Sequence, residues 1–206
     1  MPPHADHDQR RTQIIGGVLQ VVATEGLDKV TMRTVAEMAG VSLRLVQYYF
    51  GTKSQLLQHT LAHLETESQQ RWRHRLDMLD RATTPRDILD AYLDEALPTD
   101  AASREFHIVY RAFTAAALTD PALTTESLSA GPRRVHHEIT DLIGRVHNTG
   151  LVDRGTDPAT EAHHLMALEH GLSTGILIGL YDCRTARSIL SKHLNQLMPA
   201  PDLHTD

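Results

Sequence analysis

Cysteine is almost absent from this chain: Cys183 stands alone among 206 residues. No intramolecular disulfide can form, and a reducing cytoplasm is the expected setting. Aromatics are scarce as well, with three Phe, five Tyr and one Trp, so any cluster of them carries information. No apolar run approaches the roughly 20 residues of a membrane-spanning helix. Ile14 to Ala23 after Arg10-Arg11 imitates a secretory leader, but acidic residues precede the arginines, Gln20 interrupts the run and no small-residue cleavage site follows. The spacing of Ile14, Ile15, Val18, Val21 and Val22 fits an amphipathic helix instead. No stretch alternates in the manner of a strand. A glycine-rich phosphate loop and a Gly-x-Ser-x-Gly elbow are both missing, and Cys183 has no evident base partner. These absences point away from disulfide scaffolds, membrane spans, sheet folds and the common hydrolase and nucleotide-handling classes.

What the chain has in excess is negative charge and histidine. Its 26 Asp and Glu outnumber 20 Lys and Arg, for a net charge of −6. The imbalance is uneven. Residues 1–60 hold six basic side chains (Arg10, Arg11, Lys29, Arg33, Arg44, Lys53) against five acidic ones, while the other 146 hold 14 against 21. A near-neutral head on an acidic body suits a protein that meets a polyanion through a few placed contacts and otherwise resists nonspecific sticking. The 14 histidines include the adjacent pairs His136-His137 and His163-His164. Neighbouring positions on a helix point about 100° apart and do not chelate one ion together, so neither a metal nor a cofactor is expected.

The segment Thr31 to Lys53, TMRTVAEMAGVSLRLVQYYFGTK, is the most informative stretch. Its pattern predicts two short helices joined by a tight turn. Gly40 falls where that turn needs positive φ, which a residue without a Cβ reaches freely. Ala36, four positions earlier, is small enough to let two helices touch. Val35, Ala39, Val41, Val46 and Tyr49 fall on the inward side. Thr31 and Ser42 precede the two helices and can cap their free amides. Leu43, Arg44, Gln47 and Tyr48 then point outward. Such a face suits base edges and phosphates in a major groove. An ordinary helical hairpin would share the glycine and the small residue, but not the whole set.

These residues resemble the tetracycline-repressor (TetR) family of transcriptional regulators. The resemblance is carried by Thr31, Ala36, Ala39-Gly40-Val41-Ser42, Tyr49-Phe50, and Lys53 with Leu56-Leu57. Two positions depart from the family pattern. Arg44 stands where a Gly or another small residue is usual, and Gln47 where Tyr is usual. Both lie on the DNA-facing side, so they bear on the operator sequence and not on the docking mode. The resemblance implies an all-α fold of about nine helices, with an N-terminal three-helix helix-turn-helix DNA-binding domain and a C-terminal helical ligand-binding and dimerisation domain. Phosphate contacts are expected from Thr31, Ser42, Tyr49 and Lys53. Base contacts are expected from Arg33, Arg44, Gln47 and Tyr48, with Leu43 available to a thymine methyl. The expected partner is double-stranded DNA carrying a palindromic operator, whose two-fold symmetry calls for a homodimer.

Helix signals divide the chain. A polar tail is expected over residues 1–8, the DNA-binding domain over 9–52, the effector-binding and dimerisation domain over 53–200, and a second tail over 201–206. The first helix is expected from about Gln9. Lys53 opens a long fourth helix, Thr84-Pro85 a fifth, Ser103 a sixth and Asp120-Pro121 a seventh, with Gly131-Pro132 interrupting or kinking it. The eighth starts at Asp157-Pro158 and the ninth near Thr185.

In the eighth helix Gly171, Gly175 and Gly179 recur every four residues. Glycine in a helix costs about 1 kcal/mol relative to Ala, so three on one stripe suggest a close helix–helix approach. With Leu190 and Leu194 of the ninth helix they form the expected dimer interface, as the resemblance also implies; internal packing is the alternative. Phe106, Tyr110 and Phe113 fall along one face of the sixth helix, where the resemblance places an effector pocket. Trp72 and Tyr92 are further candidate linings, and His107 and Glu169 candidate polar contacts. The expected effector is small and largely apolar, releasing a repressor from its operator. A constitutive DNA-binding factor without effector is the alternative. No enzymatic activity and no membrane contact are expected.

Overall fold

The computed structural model of the chain describes residues 3–79, 84–120, 126–148, 152–153 and 155–198. Among them lie nine α-helices and no strand: α1 (Pro3–Glu25), α2 (Met32–Met38), α3 (Leu43–Phe50), α4 (Lys53–Asp77), α5 (Pro85–Glu95), α6 (Ala101–Ala117), α7 (Glu126–Asn148), α8 (Pro158–Leu177) and α9 (Cys183–Leu197), with a 3-10 turn at Leu27–Lys29. The expected tail at 201–206 and the Pro121 start signal fall outside the described residues.

Two compact units emerge from the contacts: Met1–Glu67 with Glu105–Ala130, and Ser68–Arg104 with Gly131–Asp206. The division falls beyond the boundary expected at residues 52 and 53. Leu56, Leu57, Leu61 and Leu64 of α4 are the physical reason. They are buried in one apolar cluster with Ile14, Val18 and Val21 of α1, Val35 of α2, and Val46 and Phe50 of α3, joined by Val109 and Phe113 of α6. The second unit has its own cluster, built from Leu89 and Leu93 of α5, Ile139 and Ile143 of α7, Leu165 and Leu172 of α8, and Leu190 and Leu194 of α9.

Local chemistry explains where the helices start. Thr31 caps α2 in a reciprocal box with Thr34, and the Ser42 hydroxyl accepts from the Leu45 amide ahead of α3. Thr84 and Asp87 form a second box at α5, with Pro85 at a first-turn position where its missing N–H costs nothing. Asp157 and Asp182 cap α8 and α9. The Asp182 cap accepts from the Thr185 amide at 2.8 Å, so α9 starts two residues before the expected Thr185. α1 begins at Pro3 and not near Gln9. Proline is well suited to a helix start.

α7 runs through Pro132, where an interruption or kink was expected. A proline there cannot donate to the carbonyl four residues back, that of Leu128. The Tyr110 hydroxyl donates to this carbonyl instead, at 3.2 Å. A side chain of α6 thus replaces the backbone donor that Pro132 lacks.

Candidate nucleic-acid interface and ligand site

The α2–α3 turn is set by Gly40, at φ 65°. Beyond it the Val41 amide donates to the Ala36 carbonyl at 2.9 Å, closing the end of α2 and aiming α3 across it. Val35, Ala36 and Val46 are buried beneath the pair. Behind them Gly17 of α1 does work the sequence reading gave to Ala36. A Cβ at Gly17 would stand 2.9 Å from the Ala39 Cβ and 3.1 Å from the Val35 carbonyl. The adjacent Gly16-Gly17 pair in an otherwise apolar helix was the available signal. Gln13 adds a hydrogen bond from its Nε2 to the Ala39 carbonyl, at 2.9 Å.

Of the residues expected to point outward from α3, Leu43 instead packs partly against the apolar cluster. Thr31, Arg33, Ser42, Arg44, Gln47 and Lys53 are exposed, Leu43 and Tyr49 are half-buried, and Tyr48 is 75% exposed. No acidic side chain lies on α3 itself. Arg11 of α1 lies over the Phe50 ring, 5.0 Å from its centroid, and donates to His59 Nδ1 at 3.1 Å. Burial, helped by the Arg11 guanidinium, pushes the His59 pKa down.

The expected effector residues fall in both units. Phe106, Tyr110 and Phe113 belong to the first. Phe106 stacks on Tyr110 with centroids 5.7 Å apart, and Phe113 is buried in the apolar cluster. His107 is buried too, at 7% exposure. Trp72, Tyr92 and Glu169 belong to the second unit. Trp72 meets Tyr92 edge to face, with centroids 5.6 Å apart. Burial of the Tyr92 hydroxyl, then the charges of Glu169 and Glu138, push its pKa well above the ordinary tyrosine value. Glu169 is 6% exposed, and its Oε2 lies 3.2 Å from Nδ1 of the more open His170 imidazole. Two aromatic rings and a buried carboxylate therefore share one region, with the Glu138 carboxylate close by.

The expected dimer residues divide by role. Gly175 is covered by its own chain, because a Cβ there would collide with the Tyr181 ring. Gly179 has φ 74° and ends α8 as Gly40 ends α2, with the Leu180 amide donating to the Gly175 carbonyl at 2.8 Å. Gly171 is exposed. Leu190 and Leu194 are buried inside the unit at 2% and 0% exposure, so neither offers surface to a partner. The exposed apolar side chains nearby are Ile178 at 73%, Leu180 at 70% and Ile189 at 39%.

His59 and His63 stand four apart on α4, the spacing of a helical metal clamp, which the sequence reading passed over. Each has another partner: His59 takes the Arg11 bond, and His63 pairs with Glu67 at 3.3 Å. Among the described residues no group of three or more His, Cys, Asp or Glu could hold a metal ion. No described helix is long and apolar enough to cross a membrane.

Comparison with known proteins agrees with this geometry at both ends of the chain. The family described as Bacterial regulatory proteins, tetR family, matches residues 14–60, and that described as BetI-type transcriptional repressor, C-terminal, matches residues 85–199. The chain belongs to the TetR family. Among its relatives, the HTH-type transcriptional regulator PksA of Bacillus subtilis is 27% identical over 173 residues, spanning 84% of this chain and 81% of that protein. The HTH-type transcriptional regulator BetI of Agrobacterium fabrum is 32% identical over 113 residues, spanning 55% of this chain and 53% of that protein. A TetR-family regulator from Rhodococcus sp. superposes with a TM-score of 0.80 at 26% identity, over 93% of this chain and 99% of that one. A transcriptional regulator from Saccharomonospora viridis, solved in complex with choline, shares the fold with a TM-score of 0.82 at 20% identity, over 94% of this chain and 100% of that one. As a member of this family the chain is a DNA-binding transcriptional regulator and not an enzyme.

Proposed function

We propose that this TetR-family chain is a homodimeric repressor that reads a palindromic operator with α3 and is released from it by a small organic cation. The exposed Arg44, Gln47 and Tyr48 of α3 enter the major groove, while Thr31, Ser42, Tyr49 and Lys53 hold the backbone. Arg44 reads a base. An arginine fork paired with guanine O6 and N7 contributes about 1–3 kcal/mol of discrimination, and the neighbouring hydroxyls and Lys53 already serve phosphates. The two-fold partner docks on the exposed apolar side chains Ile178 and Leu180 after α8 and Ile189 of α9. The protein works in the cytoplasm, where its DNA is.

One observation carries the effector reading: Glu169 is a buried carboxylate near Tyr92, whose ring meets that of Trp72. A buried charge is costly unless it is paired. A cation against aromatic faces gains about 0.5–2 kcal/mol per contact and would give Glu169 a second partner besides the exposed His170 imidazole. A quaternary ammonium ion fits the expectation of a largely apolar ligand, since methyl groups cover its charge. The family match to BetI-type repressors and the choline in a neighbour of the same fold support this class. The test is a titration of the chain on DNA from upstream of its own gene, with and without choline. Choline should dissociate the complex, and Glu169→Gln should keep operator binding while losing that response. A complex indifferent to choline and to other quaternary ammonium ions would favour the constitutive reading.

A further inference from the structure

α1 reaches further than its apolar core requires. The core-facing residues Ile14, Val18 and Val21 are all at 0% exposure. One turn before Ile14, Arg11 covers the Phe50 ring. One turn earlier again, His7 sets its ring at 61° to that of Tyr49, with centroids 4.6 Å apart. Positions 7, 11, 14 and 18 follow helical spacing. A single face of α1 therefore continues past the core and onto the C-terminal end of α3. Tyr49 also meets the Tyr48 ring edge to face at 5.3 Å.

We propose that His7 is a positioning residue for DNA binding, and that the first two turns of α1 belong to the DNA-reading head by holding Tyr49 in place. Tyr49 is half-buried at the edge of the apolar cluster, and the His7 ring meets it from α1. A ring that is already oriented loses less side-chain freedom when it meets the phosphate backbone. The inference rests on the reading of α3 as the DNA-facing helix.

Operator affinity of four variants tests it, measured by fluorescence anisotropy across a range of salt. His7→Ala should weaken binding about threefold to tenfold, the range set by one aromatic pair. His7→Phe keeps a ring and should restore most of the loss. The salt slope should stay unchanged, since no phosphate contact by a cation is removed. In a Tyr49→Ala background, His7→Ala should have no further effect. Wild-type affinity for His7→Ala, with Tyr49→Ala weakened, would overturn the inference alone. So would a loss that His7→Phe does not restore and that comes with a shallower salt slope, because His7 would then touch phosphate itself. Full affinity for Tyr49→Ala would overturn the placement of Tyr49 on DNA, and the inference with it.

Discussion

The two units finish their helix starts with different chemistry. In the unit holding the helix-turn-helix, the caps are neutral: Thr31 with Thr34 at α2, Ser42 at α3, and Thr52 with Gln55 at α4. In the other unit a carboxylate takes part in every described cap: Asp87 accepts from the Thr84 hydroxyl and amide at α5, and Asp100, Asp157 and Asp182 themselves cap α6, α8 and α9. A carboxylate accepts the free amides and also complements the helix dipole, so it is the stronger cap in isolation. A hydroxyl gives up the second term but keeps its own proton to donate. Beside a phosphate backbone the carboxylate would be repelled, whereas the hydroxyl becomes a ligand. The choice of cap thus reports what each surface is built to meet. The same contrast appears in the charge balance, near neutral over residues 1–60 and strongly acidic beyond.

Several substitutions would break or sharpen this contrast. The largest effect is expected where the acidic unit carries a charge into its interior. Glu95 is 6% exposed and accepts from Arg71 Nε and Arg75 Nε, both at 2.8 Å. Glu95→Ala would remove the buried carboxylate that Arg71 and Arg75 both hold and should cost about 3–5 kcal/mol in urea unfolding. A loss below about 1 kcal/mol would show that the ion pairs contribute little there.

Next comes a cap exchange in the DNA-binding unit. Ser42→Asp should leave the melting temperature unchanged or slightly raised, since Asp caps as well as Ser. Operator affinity should nevertheless fall about 100-fold or more, because like charges brought together cost several kcal/mol. Retained binding would detach the cap chemistry from DNA.

A smaller effect concerns acid. Hydrogen bonds hold the four carboxylates below their ordinary range, chiefly from the Thr84 side chain to Asp87, the Ser103 amide to Asp100, the Thr160 side chain to Asp157 and the Thr185 amide to Asp182. A depressed folded pKa gives stability that is present above about pH 4 and is lost as pH falls through the folded values. Trp72 is the single tryptophan and lies in the acidic unit, so its emission reports that unit alone. Its urea midpoint should decline below about pH 4, and more shallowly in Asp157→Asn with Asp182→Asn, which keep a capping oxygen. An identical decline in the double variant would remove the caps from the explanation.

The smallest effect belongs to Tyr110. Tyr110→Phe would leave the Leu128 carbonyl without the donor that Pro132 fails to supply, at a cost of about 1 kcal/mol. Pro132→Ala should restore that loss, because a backbone N–H then returns to the same carbonyl.

The helix-turn-helix was legible because its determinants are local. Gly40, the Thr31 and Ser42 caps and the outward run of α3 all act within a few residues of one another. Asp157-Pro158 and Thr84-Pro85 were legible for the same reason. Legibility ended where a residue answers to a distant partner. Gly175 makes room for Tyr181 of its own chain, and the glycine stripe alone could not distinguish that from a second subunit. Tyr110 read as a pocket aromatic, yet its hydroxyl is bound to α7. Leu190 and Leu194 looked like interface because helical spacing gives the apolar face of α9 but not what covers it. The reach of α1 was missed because polar residues before Gln9 carry no apolar period, while the contact of His7 with Tyr49 is tertiary.

The most direct test of the whole reading joins the two units in one titration. Fluorescence anisotropy of a labelled operator duplex, saturated with the wild-type chain, should fall to the free-DNA value as tetramethylammonium is added. The uncharged tert-butanol, of similar bulk, should leave the complex intact, and Glu169→Gln should bind the duplex normally but stay bound throughout. Release by tert-butanol as readily as by tetramethylammonium, or equal release of Glu169→Gln, would contradict a cation site at Tyr92 and Trp72.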